Sequence, residues 1–465
     1  MGAVRPQTPH RSPRQAFGGI LVEACLRQAE KKRLAEHGRA PVNQPVMCCI
    51  TLKTILREVH PIKGFVYQAV DWDPVIPKAV RVKVAERQGC RGICSGCGKK
   101  GPGYDRQPER QWDFIPFWGL LVFLVYAPRR IDCRKCGPTI EWLPWATGKY
   151  QLCDVFRLFL AQWARLLSWA EVARAFRVGW ADVYGAVKWV VDYGIENRDL
   201  SGVVALGVDE IHVGKKDKFW TLVYQIDGHC KRLLWIGQDR TEETFNLFFE
   251  VFGTEFCSGI RFICSDMWKP YLKAAAAHLP HALQILDPFH IVKKLNDAVD
   301  EIRREETRAR VAAGLEPLLK KMRWAFLKRR SNWTKTQRRR MREIEGSALR
   351  TLRAFLLVEA FRHFWTYCSP TWAGKFLDAW CTKVARSRLD PLKKVARTLR
   401  SHRSLLLNYF EAAKQYSSGV VEGLNAKVKL TLKQSYGFRT ANAREVALYH
   451  ALGKLPEPSF THSFF

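Results

Sequence analysis

Three acidic residues lie in sequence contexts that suggest a metal-binding or catalytic role. Asp209, followed by Glu210, interrupts the apolar stretch ALGVDEIHVG (205–214), and Asp266 follows the apolar run IRFICS. Carboxylates forced together in a sheet repel one another unless a cation neutralises them. Oxygen ligands without His or Cys among them select Mg²⁺ or Mn²⁺. Two such ions, about 3.5–4 Å apart, can activate an attacking oxygen and stabilise a leaving oxygen at a phosphodiester.

A third acid, Glu422, lies in the segment SSGVVEGLNAKVKLTLK, which predicts a helix after a Ser-Ser-Gly break. Each of the three acids also has an ordinary structural explanation. Asp209 fits a strand-end carboxylate, and Asp266 fits the cap of the helix predicted by SDMWKPYL. Glu422 fits a solvated acid on a basic helix just as well as a ligand. The metal hypothesis therefore depends on whether the fold brings the acids together.

Four of the 14 cysteines form two closely spaced pairs. Cys94 and Cys97 lie in CSGCG, and Cys133 and Cys136 lie in CRKCG. Two thiols separated by two residues and followed by Gly are typical of a zinc knuckle, because the tight turn points both sulfurs at one metal. Two knuckles predict a structural Zn²⁺ site with four thiolates. The β-rich sequence between them predicts a zinc ribbon with a long hairpin insert.

The elements that must position Asp209 and Asp266 follow a recognisable order. Three β-rich runs (203–214, 219–227 and 231–239) predict consecutive antiparallel strands, and a helix, a strand, a helix and a fifth strand follow. This is the order of the ribonuclease H-like α/β fold, in which the first and fourth strands lie side by side. Asp209 and Asp266 are therefore predicted neighbours, although 57 positions (266 − 209) separate them.

A pair of helices is predicted before this sheet. The segment LSWAEVARAFRVGWADVYGAVKWVV (167–191) has apolar residues at helical spacing on both sides of RVGW, a short turn with Gly. An ordinary helical hairpin fits the pattern equally well. The basic context and the neighbouring zinc ribbon favour a DNA-binding helix-turn-helix.

The composition points to a polyanionic partner. The chain of 465 residues has 76 Lys and Arg against 44 Asp and Glu, a net charge of +32, and 47% hydrophobic residues, which excludes a disordered chain. Nucleic acid is the common partner of such a protein. The longest apolar run, 114–127, is shorter than the roughly 18 residues of a spanning helix. With no secretory signal visible, we expect a cytoplasmic protein without a membrane partner.

Four segments in this order, GVDE, CSDMWKPY, LDPFHIVKKL and SSGVVEGLNAKVKLTLKQSYGFR, resemble bacterial insertion-sequence transposases of the DDE type, and more narrowly the ISL-three family. The resemblance covers roughly 51–456. It implies that Asp209, Asp266 and Glu422 are the catalytic acids and hold Mg²⁺ or Mn²⁺. It also implies a helical insertion between the fifth strand and the glutamate helix, and a bacterial, nucleoid-associated location.

The resulting domain organisation has four parts. Residues 1–46, which resemble nothing in the family, are expected to be a disordered tail or an upstream mis-start. A zinc-ribbon DNA-binding domain follows at 47–148 and a helix-turn-helix domain at 149–200. The ribonuclease H-like catalytic domain spans 201–456, with its helical insertion at about 300–412.

The expected function is recognition of terminal inverted repeats in double-stranded DNA, followed by metal-dependent strand cleavage and transfer to target DNA. We expect a homodimer or higher oligomer on DNA. Asp287 and His290, in LDPFH, are assigned to support or DNA contact and not to metal ligation. Two alternatives stay open: a structure-selective nuclease or resolvase of the same fold, and a non-catalytic regulator that uses only the zinc ribbon and the helix-turn-helix.

Overall fold

The computed structural model describes residues 50–214, 218–416, 419–434 and 438–459. The predicted tail at 1–46, the serines at 417–418 and part of the YGFR motif lie outside these residues. Helix α1 (Leu52–Val59) comes first. The elements after it belong to one compact unit, which begins at Leu56. Among the helices described, none combines the length and apolar character needed to cross a bilayer.

The first sheet has four strands in the order β1-β2-β7-β6. Their bounds are β1 (Phe65–Trp72), β2 (Ala79–Glu86), β6 (Arg110–Phe117) and β7 (Leu120–Tyr126). The apolar run at 114–127 thus forms a hairpin, as predicted. Trp118 and Gly119 both have positive φ (49° and 79°) in its tight turn, which is the backbone that two-residue hairpins favour.

Short strands surround the cysteine pairs. They are β3 (Gly92–Ile93), β4 (Lys100–Gly101), β5 (Gly103–Arg106), β8 (Arg129–Cys133) and β9 (Gly137–Ile140). Strands β3 and β4 pair with each other, and β5, β8 and β9 form a three-stranded sheet in that order. The two small sheets hold the CSGCG and CRKCG turns at the ends of paired strands, as in the predicted ribbon.

A buried carboxylate joins the ribbon to the first sheet. Glu141 is 2% exposed and accepts hydrogen bonds from the hydroxyl of Tyr126 (2.6 Å) and from the backbone N–H of Arg129 (2.8 Å). The Arg129 guanidinium also donates to it through Nη2 at 2.7 Å. A buried carboxylate is stable only when it is paired and hydrogen-bonded in this way.

Three helices follow: α2 (Asp154–Trp163), α3 (Trp169–Phe176) and α4 (Trp180–Glu196). The predicted helix pair is α3 and α4. A capping box between Ser168 and Glu171 starts α3. The turn after it differs in detail from a glycine-centred one: Arg177 takes the left-handed conformation (φ 57°), whereas Gly179 has a φ of −70° and caps α4.

The central sheet has five strands in the order β12-β11-β10-β13-β14. Strand β11 is antiparallel to both of its neighbours, β12 and β10, and β13 and β14 run parallel to β10. The strand order predicted from the sequence is confirmed, with the first strand beside the fourth. The bounds of the strands and of the two helices between them are β10 (Ala205–His212), β11 (Phe219–Ile226), β12 (Lys231–Gly237), α5 (Glu242–Gly259), β13 (Phe262–Ser265), α6 (Lys269–His278) and β14 (Leu283–Leu286).

The predicted insertion is helical and has its own hydrophobic core. Phe326, Phe355, Phe361 and Trp380 belong to this core, which is separate from the core beneath the central sheet. Its helices are α7 (Pro288–Ala312), α8 (Arg323–Leu327), α9 (Lys335–Ile344), α10 (Arg350–Phe361), α11 (Pro370–Ala385), α12 (Asp390–Ser401) and α13 (Arg403–Glu411). The chain then returns to the sheet in α14 (Gly419–Lys433) and α15 (Ala441–Leu452).

Candidate active site

Asp209 and Asp266 lie at the same edge of the central sheet. Gly207 of β10 pairs with Cys264 of β13 in parallel register, and each of the two acids follows its strand residue by two positions. The register therefore places Asp209, which lies within β10, level with Asp266, which follows the end of β13. The structure therefore brings together the pair that strand order predicts.

Asp287 reaches the same edge from the third parallel strand. Ser265 pairs with Leu286, so Asp287 is level with Asp266. One oxygen of Asp287 accepts the backbone N–H of Phe289 at 2.7 Å and caps α7. The other lies 3.6 Å from Nε2 of His290. Asp287 thus begins the insertion's first helix and faces His290.

The carboxylate of Asp209 is half-buried and held on both oxygens. Oδ1 accepts the N–H of Glu210 at 2.8 Å, and Oδ2 accepts Nδ2 of Asn425 at 2.5 Å. Burial raises the pKa of Asp209 above its usual range, and the charge of Asp266 adds to this, while the two hydrogen bonds and His290 act in the opposite direction. The charged carboxylate is therefore disfavoured in this environment, and a bound cation would stabilise it.

Asp266 opens into a cleft of about 330 Å³. Its Oδ1 accepts the N–H of Trp268 at 2.9 Å, so it forms a turn before α6, while Trp268 is the N-cap residue. Among the described residues, nothing donates to its second oxygen, Oδ2. The cleft is also lined by four basic side chains: Arg240, His290, Lys293 and Lys294.

Glu422 arrives on α14, which packs against β10. Val421 and Asn425 are buried on the side of the helix that faces the strand. Gly207 makes the close approach possible, because a Cβ at that position would lie 2.5 Å from Cγ2 of Val421. Glu422 itself is exposed, one residue after Val421 and three before Asn425.

The three predicted acids share this region without meeting at one point. Among the described residues, only the four cysteines form a group of three or more possible metal ligands within 4.8 Å of one another. The structure thus places Asp209 and Asp266 level at one edge, and it packs the helix that carries Glu422 against β10, the strand of Asp209.

Sequence reasoning missed two groups at this edge. Asn425 links Asp209 to Tyr224, whose hydroxyl donates to Oδ1 of Asn425 at 2.6 Å. Glu210 forms an ion pair with Arg240, and burial, helped by the charges of Asp266 and Asp209, raises the pKa of Glu210 to about 7. The available signals were the spacing of Asn425 from Glu422 and the unexplained second acid of VDE.

The four cysteines of the two knuckles converge as predicted. Their sulfurs all lie within 4.8 Å of one another, and Sγ of Cys97 is 3.4 Å from Sγ of Cys133. A tetrahedral zinc site with Zn–S bonds of about 2.3 Å needs sulfur separations of roughly 3.8 Å. Both glycines that follow the pairs, Gly98 and Gly137, have positive φ (69° and 72°), so each turn uses the conformation that glycine favours.

Comparison with known families identifies the chain. A family model described as a transposase, of the DDE type and the ISL3 group, matches residues 206–447, from β10 to α15. The chain belongs to the ISL3 (ISL-three) family of DDE transposases. A second model, the zinc finger of the transposases of IS204, IS1001, IS1096 and IS1165, matches residues 91–136 of the transposase and includes all four cysteines.

Individual relatives cover most of the transposase. It is 26% identical over 383 residues to the transposase for insertion sequence element IS1001 of Bordetella parapertussis, an alignment of 81% of this chain and 92% of the relative. It is 28% identical over 391 residues to the transposase for insertion sequence element IS1557 of Mycobacterium tuberculosis, which covers 78% of this chain and 86% of the relative.

The donor sets of the transposase fit the metals that its family uses. DDE transposases use divalent metal ions, and the carboxylates of Asp209 and Asp266 are hard oxygen donors whose repulsion a divalent cation would relieve. The four thiolates are the soft donors of a structural zinc site. Backbone hydrogen bonds lower the pKa of Cys94 and of Cys133, which favours the thiolate that zinc requires, whereas the neighbouring sulfurs raise the pKa of Cys136.

Proposed function

We propose that this transposase binds the terminal inverted repeats of its own insertion sequence and cleaves and transfers the DNA strands at the edge occupied by Asp209 and Asp266. The observation that carries the proposal is the parallel register that makes these two acids level, with the helix of Glu422 packed on the same strand. We assign the catalytic role to Asp209, Asp266 and Glu422 together.

The catalytic domain, 201–456 with its insertion at about 300–412, is proposed to be ribonuclease H-like. The support is the order of the five strands, in which three antiparallel strands are followed by two parallel to the first. In this arrangement the carboxyl end of β13 lies beside the middle of β10, where Asp209 is located. A helix from a distant part of the sequence that packs at this edge can then supply a third ligand.

The acids are proposed to hold Mg²⁺ or Mn²⁺. Bound there, the ions would supply activation of the attacking oxygen and stabilisation of the leaving one. The protein's own part is positioning. Asn425 fixes the carboxylate of Asp209, and Lys293 and Lys294 line the cleft of Asp266, where they can bind phosphate groups of the strand being cut. Asp287 and His290 support this edge without serving as ligands.

The zinc ribbon (47–148) and the helix-turn-helix (149–200) are proposed to read the element ends. Helices α3 and α4 and the left-handed turn between them support the second assignment. Exposed Arg174 and Arg177 lie at this turn and are suited to phosphate contacts, while a few side chains in the major groove would give sequence register. We infer a homodimer or higher oligomer on DNA, acting in the bacterial cytoplasm at the nucleoid.

A binding and nicking experiment tests the function. The full-length protein is mixed with a labelled duplex that carries one element end, and with a scrambled duplex of the same length. We expect preferential binding to the element end in the absence of Mg²⁺, a steep loss of affinity with salt, and nicking at the end when Mg²⁺ is added. Cutting of branched DNA regardless of sequence would favour the nuclease alternative. Binding without cutting by the wild-type protein would favour the regulator.

A further inference from the structure

The helical insertion contains an unusually basic segment, 320–342, which we call the basic surface. It has eleven cations and no acidic residue, and so carries about a third of the chain's net charge of +32. The cations are Lys320, Lys321, Arg323, Lys328, Arg329, Arg330, Lys335, Arg338, Arg339, Arg340 and Arg342. We propose that the basic surface binds the phosphate backbone of duplex DNA outside the catalytic cleft, without reading its sequence.

Little in the folded protein compensates this charge. Arg323 lies 3.5 Å from a carboxylate oxygen of Asp300, and Arg339 lies 3.7 Å from one of Glu343. Among the described residues, the other nine cations form no ion pair. Soluble surfaces usually intersperse both signs of charge, and like charges held close together repel, as at the pocket lined by Arg330, Arg338 and Arg342. A polyanion relieves that repulsion and releases its own condensed counterions on binding.

The arginines of α9 are arranged to bind phosphate. Arg338 and Arg342, one turn apart, line a pocket of about 320 Å³ together with Arg330. Its floor includes Trp333, whose indole N–H donates to the carbonyl of Ala325 at 2.7 Å. The guanidinium group matches phosphate oxygens through two parallel hydrogen bonds. Guanidinium groups that line a well-packed pocket suit the phosphate groups that repeat along a DNA backbone.

One acid, Glu345, also lines this pocket. With three arginines around it, the pocket remains cationic. The start of α9 is fixed by a capping box between Thr334 and Gln337, so the helix presents its arginines from a defined position.

The position of the basic surface suggests which DNA it meets. Helix α7 begins with Asp287 as its cap, beside the proposed catalytic acids. Further along α7, Asp300 lies 3.5 Å from Arg323 of α8. Twelve residues of helix (300 − 288) span about 18 Å, which is the length of roughly five base pairs at 3.4 Å each. DNA that leaves the cleft along α7 would therefore meet the basic surface about half a helical turn from the cut.

This inference rests on the proposed function of the catalytic edge. DNA on the far side of the cut, either flanking or target DNA, has no fixed sequence, so backbone contacts without base readout suit it. The zinc ribbon and the helix-turn-helix are assigned to the element end itself. The basic surface would hold the DNA to which that end is joined.

The test uses the full-length protein with Asp209→Asn, so that DNA stays intact. A triple variant, Arg329→Gln/Arg338→Gln/Arg342→Gln, removes three exposed cations that form no ion pair among the described residues. The matched control, Lys383→Gln/Arg386→Gln/Arg397→Gln, removes the same charge from exposed positions elsewhere in the insertion. Thermal unfolding of both checks that the fold is kept.

Binding is measured to one duplex that stops at the cut and to another that extends about 10 base pairs beyond it. We expect the triple variant to lose at least about tenfold in affinity for the extended duplex near 0.15 M salt, with a log–log salt slope smaller by up to about 2.7. Its affinity for the short duplex and the control's affinity for both should change little. Equal losses in the two variants, or an unchanged affinity of the triple variant for the extended duplex, would overturn the proposal. If none of these proteins prefers DNA with an element end, the proposed function is wrong. The comparison of the triple variant with its control on the extended duplex still tests the basic surface.

Discussion

Asn425 donates a hydrogen bond from Nδ2 to Oδ2 of Asp209 over 2.5 Å, and so joins helix α14 to strand β10 across 216 positions of the chain. The hydroxyl of Tyr224 donates to the amide oxygen of Asn425 at 2.6 Å, which fixes the orientation of the amide. The carboxylate of Asp209 and the helix of Glu422 are therefore held by one polar network, whose members depend on one another.

The first prediction concerns this amide. Asn425→Asp keeps the shape of the side chain but replaces a donor with an oxygen and adds a negative charge beside Asp209. We expect nicking of an element end to fall by at least about 10²-fold, because a displaced catalytic group has that effect, while DNA binding persists. Tyr224→Phe should be milder, with a cost of about 1–3 kcal/mol in stability for the unsatisfied amide oxygen. Normal nicking by Asn425→Asp would show that the network does not position Asp209.

The second prediction concerns the three acids. Asp209→Asn, Asp266→Asn and Glu422→Gln should each reduce Mg²⁺-dependent nicking by several orders of magnitude and leave end binding intact. Combined variants should be little worse than single ones, because residues that act as a unit are not additive. Asp287→Asn is the comparison. If it is inactive while Glu422→Gln nicks normally, the third ligand comes from LDPFH and not from α14.

The third prediction tests the packing of the glutamate helix. An added methyl group in Gly207→Ala would lie 2.5 Å from Val421 and 2.9 Å from Ile226, so α14 must move. We expect a loss of nicking of roughly 10²-fold without change to any proposed ligand, and partial recovery in Gly207→Ala/Val421→Ala. Gly228→Ala, where an added Cβ meets nothing within 4 Å, is the control. An unaffected Gly207→Ala protein would mean that the position of α14 is not critical.

The fourth prediction concerns zinc. The wild-type protein should contain one Zn²⁺ per chain. The variant Cys94→Ser/Cys133→Ser should contain none, because it removes one thiolate of each cysteine pair and leaves two of the four ligands of the tetrahedral site. Loss of the metal should also unfold the ribbon, since zinc binding and folding are coupled in such sites. Cys368→Ser, an exposed cysteine outside the cluster, is the control. Zinc content that is the same in all three proteins would contradict the assignment.

The fifth prediction is a pH dependence of stability. Burial lowers the pKa of His450 to about 3, with a smaller contribution from the charge of Arg165. Below about 6.5 the unfolded chain binds a proton that the folded chain does not, so the free energy of unfolding should fall as the pH decreases towards 3. The slope from this residue is at most about 1.4 kcal/mol per pH unit.

Urea unfolding at several pH values between neutral and acidic measures this slope. His450→Leu should show a shallower acid dependence than the wild-type protein, because the neutral side chain binds no proton in either state. His281→Leu, at an exposed position, is the control for removing an imidazole elsewhere. Parallel curves for the wild-type protein and His450→Leu would refute the explanation.

The parts of the structure that the sequence predicted are those with local signals. Strand and helix patterns predicted the succession of elements along the chain, and the match of that succession to the ribonuclease H-like fold placed Asp209 beside Asp266. The spacing of the cysteine pairs was enough to predict four converging sulfurs. Both signals arise from chemistry within a few residues, or from the small set of ways in which such elements can be connected.

The parts that could not be predicted depend on tertiary packing. No pattern around Asn425 shows that its amide joins Asp209 to Tyr224, because the three lie on separate elements. The turn between α3 and α4 was predicted with its glycine, yet Arg177 takes the left-handed conformation. There the N–H of Val178 donates a hydrogen bond to the carbonyl of Ala173 at 3.0 Å. This bond at the end of α3 requires the left-handed conformation at Arg177. How the insertion's helices pack is likewise a property of its own core.

The long separation between β10 and α14 also orders events during synthesis. The ribbon, the helix pair and the strand of Asp209 emerge from the ribosome first, followed by the strand of Asp266 and then the whole insertion. Only afterwards does the segment with Glu422 and Asn425 become available. A nascent chain can thus fold the ribbon and the helix pair well before it can assemble the proposed cutting centre, which needs a segment made after the whole insertion.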